Sequence, residues 1–116
     1  MKNQSFRKRL GFALQGIAEA WRAETSFRTQ CIAALCVLAV LIWRQPPMMW
    51  WAFLLINCGL VLSAELFNSA LESALDHLHP ERHPAIRIAK DCAAGAVLML
   101  SLTGVCVFIA FLVDTL

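Results

Sequence analysis

The sequence predicts an all-α membrane protein: one amphipathic helix lying along the bilayer surface, then three helices that cross it, with the N-terminus in the cytoplasm and the C-terminus outside. Three observations carry this reading. Of 116 residues, 59% are hydrophobic and 16% charged, whereas an average soluble domain has about 25% charged residues, and a chain this short has too little interior to hide so much apolar surface. The apolar residues gather in three stretches, Cys31 to Trp43, Met48 to Ser63 and Cys92 to Val113. The cations, all but Arg44, fall in two blocks, Lys2 to Arg28 and Arg82 to Lys90. A net charge of +2 gives no bulk attraction to nucleic acid.

The first element is expected over about residues 5–23. Phe6, Leu10, Ala13, Leu14, Ile17 and Trp21 recur at steps of three and four, while Arg7, Lys8, Gln15, Glu19 and Arg22 occupy the other side. Such a helix rests in the headgroup plane with its basic residues toward anionic lipid. It is not read as a cleaved leader, because the apolar run after Arg7-Lys8-Arg9 is too short for one.

The first span, about 27–44, extends the apolar stretch back to Phe27 and lets Arg28 snorkel to the interface. Pro46-Pro47 then breaks the chain in a short hairpin, flanked by Trp43, Trp50 and Trp51 as interfacial anchors. The second span, about 48–67, continues as a helix to about 78. The third, about 92–113, is alone long enough to cross a core that needs about 20 residues, and Pro84 after His83 suits the start of its helix. With three crossings, both cationic blocks share one side and Arg44 takes the other, which assigns the cytoplasm to the cationic side. The five cysteines show no C-x-x-C pair and read as small packing residues.

The chemistry begins where the second apolar stretch turns acidic. Glu65, Asn68, Glu72 and Asp76 lie within about 80° of one another on a helical wheel, so they form one stripe. A carboxylate at the bilayer centre costs about 2.5 to 3.5 kcal/mol even on the lenient insertion scale. Such a stripe therefore faces a polar cavity, a metal or cations near the interface, and a functional site is the default expectation. Glu24 lies just before the first span, on the same side of the membrane as Glu72. Two carboxylates from separate helices suit Mg²⁺, which shares its shell with water and substrate phosphates. Lys90-Asp91 opens the third span on that face and supplies a cation for phosphate. Metal carboxylates, an acid able to act as base and a lysine at one interface are the parts needed for phosphoryl transfer. No G-x-x-x-x-G-K-[ST] or G-x-G-x-x-G loop is present, so neither a P-loop enzyme nor a protein kinase is indicated. His77, His79 and His83 lack the Cys partners of a usual zinc set. The competing reading is a small proton- or ion-coupled transporter that uses Glu65 and Glu72 as intramembrane acids.

The runs Glu65-Leu-Phe-Asn68-Ser-Ala-Leu-Glu72-Ser-Ala-Leu-Asp76, Glu81-Arg-His83-Pro and Ala89-Lys90-Asp91-Cys-Ala-Ala-Gly-Ala-Val, with Glu24-x-x-Phe27-Arg28 upstream, resemble the signature of the small prokaryotic diacylglycerol kinase and undecaprenol kinase family. The resemblance covers nearly the whole chain. It implies a homotrimer with shared active sites in the bacterial cytoplasmic membrane, in which ATP and Mg²⁺ serve to phosphorylate a lipid hydroxyl at the cytoplasmic surface. It makes Glu65 the general base and Glu24 and Glu72 the metal ligands that hold the nucleotide phosphates. Phe12, Glu24, Glu72, Glu81, Arg82, His83, Lys90 and Asp91 become the ATP site, and Asn68 and Asp76 support the polar stripe by hydrogen bonding. Cys92-Ala93-Ala94-Gly95-Ala96 and His83-Pro84 resemble the undecaprenol kinase form more than the diacylglycerol form. Phe12 stands where a tyrosine is common in the diacylglycerol enzymes, and the chain has no tyrosine. These departures lean toward a polyprenol acceptor, with diacylglycerol the alternative.

Overall fold

A computed structural model describes residues 3–116; Lys2, counted above in the first cationic block, lies outside the described residues. Four helices follow one another: α1 (Phe6–Ala23), α2 (Thr25–Arg44), α3 (Met48–Leu78) and α4 (Pro84–Asp114). The last three are long and apolar enough to cross a membrane.

Local chemistry accounts for each boundary. Ser5 caps α1 by accepting the Lys8 N–H at 3.4 Å. Glu24 alone separates α1 from α2, with an extended backbone that ends one helix and starts the next. Gln45 adopts the left-handed conformation that commonly closes a helix, and its N–H bonds to the Leu41 carbonyl at 2.8 Å. Pro47, which lacks a donor, precedes α3 at no hydrogen-bonding cost. Pro84 occupies the first turn of α4, and His83 caps that helix by accepting the Ala85 N–H on Nδ1 at 3.1 Å.

Length separates α2 from the others. Its 20 residues span about 30 Å at 1.5 Å per residue, the thickness of the hydrocarbon layer. The 31 residues of α3 and of α4 reach about 46 Å, longer than that layer. Because α3 starts at the hairpin, its surplus length relative to α2 lies at its C-terminal end, which carries Glu72 and Asp76.

The apolar core sits at the hairpin end. Leu41 and Phe111 are fully buried with Leu54, and Val37, Val40, Trp50, Trp51, Val107, Phe108 and Leu112 pack around them. Polar contacts tie the same end together. Arg44 donates to the Thr115 carbonyl and Oγ1 at 2.7 and 2.8 Å and lies over the Phe111 ring, and Trp50 Nε1 donates to Asp114 Oδ2 at 2.9 Å. Arg44, isolated in the sequence, is thus a strut between α2 and the end of α4. The five cysteines are free.

On α1 only Ala20 is buried; Phe6, Leu10, Leu14, Ile17 and Trp21 of its apolar face stay exposed within the chain. An apolar face left open on a helix beside three span-length helices fits a position along a lipid surface. Arg28 departs from the snorkelling expectation. Its guanidinium turns back and donates to the Trp21 and Arg22 carbonyls at 2.7 and 3.0 Å, because the last carbonyls of α1 lack partners within their own helix.

Candidate active site at the end opposite the hairpin

The site is set by a match of heights. Ser26, in the first turn of α2, stands nearly as far from the hairpin along its helix as Glu65 does along α3. The two side chains meet: Ser26 Oγ donates to Glu65 Oε1 at 2.6 Å. Glu65 is 3% exposed, the one buried ionisable side chain among the described residues. An uncompensated buried carboxylate is costly, and this hydrogen bond offsets part of that cost.

Along the stripe from Glu65, burial falls off in order. Asn68 is half-buried and its Oδ1 is enclosed without a hydrogen-bond partner. The expected support of the stripe by Asn68 hydrogen bonding is therefore not made at Oδ1 within one chain; the amide is a buried acceptor with unused capacity. Glu72 is half-buried and Asp76 exposed. Asp76 pairs with Lys90 of α4, a specific contact in place of the general support expected of it. The stripe thus runs from a buried, hydrogen-bonded acid to an open ion pair.

Beyond that pair, Asp76, Glu81, Arg82, His83, Lys90 and Asp91 line one cavity of about 480 Å³, joined by His79 and Arg87. Arg87 bridges to Asp91 at 3.3 Å. The loop closes over itself, with the His79 and His83 rings edge to face at 5.9 Å and His79 Nδ1 at 3.1 Å from the Glu81 carbonyl. Arginine, lysine and histidine alternate here with carboxylates, a lining suited to a polyanion that brings its own cation. All the residues of Glu81 to Asp91 named for the nucleotide come together.

Glu24 and Phe12 stand apart from that cavity. Glu24 lines a second cavity, of about 430 Å³, between α1 and the Ser69 and Ser73 turn of α3, adjacent to Glu72 on that helix. Phe12 lies on the polar side of α1 beside Gln15 and the Glu19–Arg22 ion pair, in a shallow recess that shares Gly16 and Glu19 with the Glu24 cavity. Within one chain, then, Phe12 is not brought to the cavity around Lys90.

The carboxylates of Glu24 and Glu72 suit a hard divalent cation. Both are half-buried, neither takes part in a salt bridge among the described residues, and Glu24 spends no side-chain hydrogen bond on capping α2. Among the described residues no three His, Cys, Asp or Glu side chains form a metal cluster. Glu72 is not among the residues lining the Glu24 cavity, so one chain does not show the two carboxylates on one ion. A cation taking oxygen donors of this kind would complete its shell with water and phosphate oxygens, the habit of Mg²⁺.

Sequence reading assigned no role to Ser26 or Arg87. Ser26 is hidden because serine in a first helical turn reads as a capping residue. Arg87 was legible as one of the second cationic block.

Comparison with known proteins agrees with this architecture. The family model for prokaryotic diacylglycerol kinase matches residues 11–112. The chain is 34% identical to a diacylglycerol kinase of Helicobacter pylori over 79% of its own length and 72% of that protein. It is 30% identical to the diacylglycerol kinase of Escherichia coli K12 over 84% and 80% of the two chains. It is also 35% identical to the undecaprenol kinase of Bacillus subtilis over 79% and 75%. With three span-length helices and a family match that includes every residue discussed at the site, the chain is a membrane lipid kinase and belongs to the prokaryotic diacylglycerol kinase family.

Proposed function

We propose that this protein transfers the γ-phosphoryl group of ATP to the hydroxyl of a membrane lipid, undecaprenol in preference to diacylglycerol, at the cytoplasmic face of the bacterial inner membrane. The observation that carries this is Glu65, a buried carboxylate at the height where α2 begins, with the basic and acidic cavity around Lys90 beyond it on the water side. A lipid hydroxyl reaches that height from the bilayer, and ATP reaches the cavity from water.

Glu65 accepts the hydroxyl proton as the lipid oxygen attacks the γ-phosphorus, and ADP leaves. Lys90, released from Asp76, meets the phosphate charge, and Arg82 and Arg87 are at hand in the same cavity. Glu24 and Glu72 would hold Mg²⁺, which when bound supplies charge neutralisation for the phosphate oxygens. Phe12, distant from this cavity in one chain, and the open apolar faces of Ile32, Leu35, Ile56, Leu98 and Met99 support a homotrimer in which neighbouring subunits complete shared sites.

The test is phosphoryl transfer from γ-labelled ATP in mixed micelles containing undecaprenol or dioleoylglycerol. Label is expected in extractable lipid only with Mg²⁺, faster with undecaprenol, and Glu72→Gln is expected to lower turnover at least about 100-fold. In sealed vesicles, external ATP should be used only when the membrane is inside-out. Unchanged turnover in Glu72→Gln would remove the metal assignment, and a faster reaction with dioleoylglycerol would reverse the acceptor preference.

A further inference from the structure

We infer that Ser26 is a positioning residue for Glu65: its hydroxyl holds one carboxylate oxygen so that the other is presented to the lipid hydroxyl. The inference rests on the reading of Glu65 as the base.

The hydrogen bond is the first support. At 2.6 Å the Ser26–Glu65 contact lies in the short range typical of a hydroxyl donating to a charged carboxylate. It joins residues 39 positions apart on different helices, although a serine in a first helical turn ordinarily serves its own backbone.

The state of the second oxygen adds to this. Oε1 is occupied by Ser26, and among the described residues no hydrogen bond reaches Oε2. Rotation about the last bond of a glutamate side chain is broad and roughly two-fold. Burial alone therefore leaves the plane of the carboxylate open. Its two oxygens are equivalent, so a donor on one fixes that plane and leaves the other, here Oε2, to accept a proton.

The backbone beneath Ser26 makes the donor rigid. Ser26 follows Glu24 by two residues, across the elbow whose two sides Arg28 clasps through the Trp21 and Arg22 carbonyls and Thr25 Oγ1. The same elbow thus sets the height of a proposed metal carboxylate and the orientation of the proposed base.

The test compares side chains that keep or lose the hydroxyl at nearly constant size. Ser26→Thr keeps it, and Ser26→Val replaces it with a methyl group. Both are purified with Ser26→Ala and Glu65→Gln, checked for folding by thermal unfolding in detergent, and assayed with undecaprenol and dioleoylglycerol in mixed micelles. Ser26→Ala and Ser26→Val are expected to lose about 10- to 100-fold in kcat, the range of a hydrogen bond to a charged group. KM for ATP with Mg²⁺ should stay within about twofold, since the interaction serves the chemical step rather than nucleotide binding. Ser26→Thr should retain kcat within about threefold of the parent. Equal kcat in Ser26→Val and Ser26→Thr, or a loss confined to KM for ATP, would overturn the positioning role. If Glu65→Gln turns over at the parent rate, the base assignment itself fails; if it is inactive while Ser26→Val is fully active, only the role of Ser26 fails.

Discussion

Lys90 and Asp76 show how a residue can have a contact without having it as its purpose. The Lys90 side chain is 32% exposed and that of Asp76 67%, and a pair this accessible to water contributes about 0 to 1 kcal/mol to stability. On the function proposed above their value lies in exchange, because a lysine held by a weak exposed partner is readily given up to phosphate. Lys90→Met is accordingly expected to raise KM for ATP about tenfold or more while shifting the unfolding midpoint by less than about 4 °C. Steady-state kinetics and thermal unfolding in the same detergent check it; a large loss of stability with KM unchanged would return Lys90 to a structural role. At this scale the acids were legible in the sequence, because a carboxylate in an apolar run stands out by cost alone. The partners were not. Whether Ser26 faces Glu65, and whether Arg28 turns to lipid or to its own backbone, depends on the rotation of α2 about its axis, which no periodicity within α2 reports. Asn68 was legible as a stripe member, yet its enclosed and unused Oδ1 depends on how α3 meets its neighbours.

Between elements, the four helices divide their work by end. Leu41, Leu54 and Phe111 form a dense apolar knot near the hairpin, and the site lies at the far end of the same helices. Leu41→Ala opens a cavity in that knot and is expected to cost about 2 to 5 kcal/mol, with turnover per folded molecule close to the parent value. Unfolding in detergent and specific activity of the folded fraction test the separation; a parallel loss of activity would mean that packing at one end is transmitted to the other. The breaks between helices were readable from Pro46-Pro47 and His83-Pro84, since proline imposes its geometry locally. The break between the surface helix and the first span was legible near residues 23–27 from the change in pattern, but its tightness, a single extended residue at Glu24, was not readable, because nothing in an Ala-Glu-Thr sequence dictates it. It is held by contacts made elsewhere, chiefly those of Arg28.

For the whole molecule, the composition that first pointed to lipid takes on a direction. One end packs Trp50, Trp51 and Phe108 around the buried Phe111, the other collects acids and cations, and the middle leaves large aliphatic side chains such as Leu35, Ile56 and Met99 open to lipid or to other copies of the chain. The three spans are unequal in length, and only α2 has no surplus. A thicker bilayer can slide along the longer α4, but against α2 it must thin locally or draw the residues flanking that helix inward. Ser26 rides on the helix that yields and Glu65 on one that does not. Membrane thickness therefore acts on this enzyme as a gauge block acts on a calliper, through the offset of two jaws. Turnover measured in phosphatidylcholine vesicles of increasing acyl length should peak where the hydrocarbon layer is about 30 Å and fall on the thicker side; a flat profile would show that α2 and α3 keep their register whatever surrounds them.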